Sequence, residues 1–112
     1  MSALREWLRR WPHRRFDTVV YYTSRNEVPT RLPRRAIAVV GTRERPKWAI
    51  FRCPCGRGHE IALNLSPTRN PFWQLAGDSH APSLYPSVDS YSPHPCHYWI
   101  REGRVCWAVS DS

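Results

Sequence analysis

With 112 residues, the chain has room for one folded domain, 1–112, and no second. Six Trp in a 41% hydrophobic composition exclude a disordered or low-complexity tail. The net charge of +8 is lopsided: Met1–Arg57 carries 14 basic and 4 acidic residues, Gly58–Ser112 carries 3 and 5, so the basicity belongs to the front half.

In chain order, Leu4, Trp7, Leu8 and Trp11 recur at i, i+3, i+4 and i+7, with Arg5, Arg9 and Arg10 on the remaining surface. This spacing predicts an amphipathic helix over 2–11, with Ser2 as N-cap and Pro12 as its stop, its apolar stripe docked on a sheet. No apolar run approaches the ~20 residues of a spanning helix, and this N-terminus does not resemble a signal-peptide core. The expectation is a soluble, cytoplasmic protein without a membrane.

Beyond the helix, β-branched and aromatic residues cluster in short runs bounded by turn formers: Thr18–Tyr22, Ala36–Val40, Trp48–Phe51, Glu60–Leu65, Tyr98–Ile100 and Val105–Val109. These are predicted strands. The stretch Ser66–Pro95 holds six prolines and few apolar runs, so it reads as loop, with at most a short strand or turn over 72–75. There is no glycine-rich phosphate cradle, helix-turn-helix pattern or internal repeat.

The most specific feature is Cys53-Pro54-Cys55-Gly56-Arg57-Gly58-His59 between two predicted strands. Four cysteines in a chain without an export signal point to metal-held thiolates before disulfides. Two thiolates on one tight turn can meet a tetrahedral zinc from the same side. The other candidates are Cys96, His97 and Cys106. If residues 101–104 form a hairpin turn, Trp99 faces Cys106, and Cys96 sits three strand positions away from Cys106, ~10 Å at ~3.3 Å per residue. One zinc holds two sulfurs within roughly 4 Å of each other, so the hairpin cannot supply both. Cys96, at the mouth of the ribbon, is the better ligand, and Cys106 reads as a core thiol. A structural zinc on Cys53, Cys55 and Cys96 then takes its fourth ligand from His59 or His97; alternation, which turns His97 away from Cys96, favours His59. His97 is thereby held in place and left for other work. The segment Pro82–Ser90 offers Ser83, Ser87 and Ser90, any of which a histidine could activate, although spacing alone brings none of them to His97.

The run Lys47-Trp-Ala-Ile-Phe-Arg-Cys-Pro-Cys-Gly-Arg-Gly-His-Glu-Ile-Ala-Leu-Asn-Leu65, then Trp73, Leu84-Tyr-Pro-Ser-Val88 and Cys96-His-Tyr-Trp-Ile-Arg-Glu-Gly-Arg-Val105, resembles the bacterial family classed as domain of unknown function 6527. The likeness covers about 28–109. It implies a place beside a ubiquitin-like protein and E1-like and E2-like enzymes, often in a defence setting, and a role as a serine-dependent processing or deconjugating peptidase on a zinc-stapled scaffold. Carried over by motif, the serine is Ser87, the histidine His97, and the cysteines Cys53, Cys55 and Cys96. Where relatives often carry a further cysteine this chain has Arg57, which leaves His59 to replace it. Asp89 and Asp78 are both open as a third catalytic group.

A second class of function is a noncatalytic zinc-knuckle module, either an adaptor in the conjugation system or a nucleic-acid binder. The basic front half and the fact that 16 of 17 basic residues are Arg favour planar recognition of carboxylate or phosphate. The expected fold is mainly β, a small α+β domain of antiparallel hairpins stapled by zinc, with one N-terminal helix.

Overall fold

The computed structural model of the chain describes residues 15–90 and 95–108. The helix expected over 2–11 lies outside them, as does Val109 at the end of the last predicted strand. Among the described residues, eight strands form two four-stranded sheets. The first, in the order β1-β2-β3-β4, contains β1 (Thr18–Tyr22), β2 (Ala36–Gly41), β3 (Pro46–Arg52) and β4 (Glu60–Asn64). The second, β5-β6-β7-β8, contains β5 (Gln74–Asp78), β6 (Ala81–Ser90), β7 (Cys96–Arg101) and β8 (Arg104–Trp107). The only helix among the described residues is a 3₁₀ turn at Arg25–Glu27, and none of their helices is long and apolar enough to cross a membrane.

The pairing is mainly antiparallel, as expected, with one exception: β1 runs parallel to β2. A parallel neighbour needs a crossover of about a dozen residues, and 23–35 provides it. The crossover also explains why every residue of Ala36–Val40 is buried. Ile37 and Val39 face the main core, while Ala38 and Val40 join Ile50 and the crossover's Leu32 in a second cluster on the other face.

One expectation needs correcting: the described residues of 66–95 are not mainly loop. The stretch holds all of β5 and the longest strand, β6, despite Pro82 and Pro86. Proline lacks the N–H that a central strand uses in its ladder, but a bulge dispenses with that hydrogen bond. Pairing steps from Leu84↔Ile100 to Val88↔Tyr98, so Tyr85, Pro86 and Ser87 stand opposite Trp99 alone. Pro82 contributes its carbonyl, which accepts the Gly103 N–H at 2.6 Å.

One core joins the sheets: Ile37, Val39, Ala49, Phe51, Ile61 and Leu63 from the first, Leu84, Val88, Tyr98 and Ile100 from the second, with Phe16 between them. Phe16 packs edge-on to Phe51, ring centroids 5.2 Å apart, and its N–H donates to the Gly103 carbonyl at 2.6 Å. The β7–β8 turn has positive φ at Glu102 (49°) and Gly103 (80°), as the tight turns matching strand twist require. A Cβ on Gly103 would lie 2.5 Å from the Phe16 carbonyl oxygen, so only glycine fits there.

Candidate functional site

The connection between β3 and β4 folds back on itself through the Cys53 N–H, which donates to the His59 carbonyl at 2.9 Å. Gly56 and Gly58 take positive φ, 79° and 86°, which lets the turn close tightly enough for the Arg57 N–H to point at Cys55 Sγ, 3.4 Å away. Cys53 is buried, Cys55 and His59 are partly buried, and Cys55 Sγ lies 3.5 Å from His59 Nδ1. From the second sheet, buried Cys96 at the start of β7 completes the group. One ligand atom from each of Cys53, Cys55, His59 and Cys96 lies within 4.8 Å of the other three. A tetrahedral ion with Zn–S of ~2.3 Å and Zn–N of ~2.0 Å holds its donors roughly 4 Å apart, inside that limit, so the residues fit a metal ion.

Electrostatics point the same way. Burial pushes the Cys53 thiol up, with the Tyr98 hydroxyl, 3.5 Å from Sγ, acting in the opposite direction. Cys96 is pushed up to about 12, first by burial and then by the neighbouring Cys53 and Cys55. The Tyr98 hydroxyl is raised too, mainly by burial. Clustered thiolates that repel one another in an apolar setting need a cation to ionise together.

One residue along β7, alternation reverses the direction: Cys96 points inward to the cluster, while His97 is exposed on the outer face of the second sheet. There His97 Nε2 lies 3.0 Å from Ser87 Oγ. The β6 bulge arranges this. It adds two residues opposite Trp99, an even number, so Leu84 and Val88 both stay inward and Ser87 stays outward. Asp89 is the register partner of His97, which makes Ser87, two residues before Asp89, its diagonal neighbour. The Trp73 indole N–H donates to the Ser87 carbonyl at 3.1 Å and holds the bulge from the other side.

The remaining candidates separate cleanly. Ser83 is buried, and its Oγ accepts the Glu102 N–H at 2.8 Å, which ties β6 to the β7–β8 turn. Asp78 ends β5, where its carboxylate accepts the His80 N–H of the following turn at 2.8 Å; of the two aspartates, only Asp89 stands across from His97. Cys106 is not a core thiol. It pairs with Trp99 on the outward side of β8 and is partly exposed, because Val105 and Trp107 take the inward positions. It is also absent from the four-residue group. Sequence reasoning assigned no role to Trp73 or Tyr98. Both stand within or beside the motifs that carry the family likeness, but their contacts, to a carbonyl fourteen residues away and to a thiol 45 away, exist only in the folded chain.

Compared with known families, residues 24–108 match the one described as Bacterial ubiquitination-like system serine protease (BubE). The chain belongs to the BubE family. That membership agrees with the conjugation-system setting implied by the motif likeness. No curated protein and no solved structure matches the chain.

Proposed function

We infer that this protein is a serine-dependent peptidase that processes or deconjugates a bacterial ubiquitin-like protein, as one domain with a structural zinc. The observation that carries the reading is the 3.0 Å approach of Ser87 Oγ to His97 Nε2 on an open sheet face, in a chain of a serine-protease family. A serine hydroxyl becomes nucleophilic when an adjacent imidazole can take its proton.

Ser87 Oγ attacks the carbonyl that joins the ubiquitin-like tail to its next group, forming the new C–O bond as His97 Nε2 accepts the proton. Backbone N–H groups stabilise the oxyanion, and His97 returns the proton to the leaving amine. Water then enters by the same route and releases the acid. Asp89, across the ladder from His97, is the better of the two carboxylates to orient the imidazolium.

Three thiolates and an imidazole are a soft, closed donor set, which favours zinc in a structural role. Cys53, Cys55, His59 and Cys96 would hold it, and it would supply cross-linking of the two sheets. The proton transfer belongs to residues on the opposite face of β7.

Incubation with the ubiquitin-like protein of the same operon, extended at its C-terminus, followed by mass spectrometry, tests enzyme and cleavage position together. Ser87→Ala should abolish cleavage and leave about one mole of zinc per chain by elemental analysis. Undiminished cleavage by that variant would remove Ser87 from the mechanism.

A further inference from the structure

The outer face of the second sheet carries a second feature, separated from the Ser87–His97 pair by one row of side chains. Residues aligned across neighbouring strands share a face. Arg101 pairs with Arg104, and Arg104 pairs in turn with Arg15 through an isolated bridge, so three arginines stand in one row across the sheet. Alternation puts this row on the outer side. Arg101 follows His97 and Trp99 at steps of two, Arg104 precedes outward Cys106 by two, and Phe16, next to Arg15, is fully buried. All three arginines are exposed.

Like charges directly opposite one another on a sheet are destabilising. Among the described residues, no carboxylate relieves them: the ion pairs are Arg25–Glu60 and Arg35–Asp17, and Glu102 in the intervening turn pairs with none of the three. The Arg101 guanidinium stacks over the Trp99 ring, 4.6 Å from its centroid, and so leans back along β7 toward His97. At the other end of the face stands Asp89, opposite His97. The surface is therefore polar along its length, basic at the turn and acidic beside the dyad.

Resting on the peptidase reading above, we propose that Arg15, Arg101 and Arg104 are the docking row for an acidic stretch of the substrate protein flanking the bond cleaved at Ser87. Four residue steps along β7 lead from His97 to Arg101, about 13 Å at ~3.3 Å per residue. An extended peptide rises at the same rate, so the carboxylates recognised lie about four positions from the scissile bond. Arginine's planar fork takes carboxylates two oxygens at a time, which suits recognition better than lysine would.

The test is fluorescence anisotropy of the full chain with a fluorescein-labelled oligoglutamate peptide and its oligoglutamine twin at low ionic strength. The wild-type chain should prefer oligoglutamate. Arg15→Gln/Arg101→Gln/Arg104→Gln should weaken that binding by about tenfold or more, each exposed pair contributing modestly. Arg31→Gln/Arg34→Gln/Arg45→Gln, with the same charge loss elsewhere, should leave it within about twofold. Equal binding of the two peptides, or equal loss in the two triple variants, would overturn the proposal. So would single-stranded DNA binding more tightly than oligoglutamate through the same three arginines. Ser87→Ala binds oligoglutamate like wild type if the row acts as proposed. No cleavage of the extended ubiquitin-like protein by a chain whose oligoglutamate binding still depends on the three arginines would count against the peptidase reading alone.

Discussion

Tyr98→Phe deletes a single hydroxyl from a fully buried side chain, and what it leaves behind is the Cys53 sulfur. A hydroxyl that donates to a metal-bound thiolate fixes its orientation and its basicity, and such partners typically carry 10–100-fold in metal affinity. The variant should therefore hold zinc about 10-fold more weakly in competition with a chromogenic chelator, with its ring packing against Trp107 kept. Trp73 makes a comparable contact at the β6 bulge, through its indole N–H to the Ser87 carbonyl. Trp73→Phe keeps an aromatic ring but not the donor. Cleavage kinetics should show kcat reduced about fivefold with KM nearly unchanged, the cost of a lost hydrogen bond of about 1 kcal/mol at a positioning contact.

Two elements determine where the Ser87–His97 pair sits. Strand β7 turns Cys96 inward and His97 outward in consecutive positions, so whatever anchors the first also places the second. The β6 bulge does the same for Ser87, because a regular strand would lack the extra residues opposite Trp99. The β7–β8 turn closes the sheet against Phe16, and Gly103 is its least replaceable residue. Gly103→Ala would combine positive φ with a methyl group 2.5 Å from a carbonyl oxygen. Its thermal unfolding midpoint should fall by an amount corresponding to about 2–3 kcal/mol, with little change in metal content.

For the molecule as a whole, the candidate metal group is a cross-link: three ligands come from the β3–β4 connection of one sheet and the fourth from β7 of the other. Chelation should lower the thermal midpoint and abolish cleavage together, with both restored by zinc, because the two sheets would lose their tie beside the dyad. The thiol shifts add a pH dependence with a definite sign. Cys53 and Cys96 ionise less readily when folded than the usual value of 9.0, Cys96 only at about 12. In the metal-free chain their contribution to stability is complete below pH 9.0 and is lost as pH rises toward about 12, since the unfolded state gives up its protons first. Metal-free unfolding followed by circular dichroism should therefore show falling stability across that window. Zinc binding near neutral pH should release protons, measurable in a weakly buffered titration.

Much of this is legible in the sequence. Thr18–Tyr22 appears as a strand with those bounds, because β-branched and aromatic residues packed between turn formers favour a pleated surface. The hairpin register that pairs Trp99 with Cys106 followed from the tight turn, and with it the separation of Cys96 from Cys106. The knuckle spacing named Cys53, Cys55 and His59 because those ligands are local. What spacing could not supply was anything that depends on contacts between distant segments. Proline content argued for loop over 66–95, yet β6 carries its prolines where a bulge and a carbonyl contact need no N–H. The core position that spacing assigns to Cys106 belongs instead to Val105 and Trp107, the inward residues of the strand. The residue types able to hold a metal and move a proton were determined by the sequence alone. That Ser87 meets His97, that Cys96 crosses to the other sheet's knuckle, and that three arginines align beyond them were decided only by the tertiary structure, since strand pairing and sheet packing join positions the chain keeps far apart.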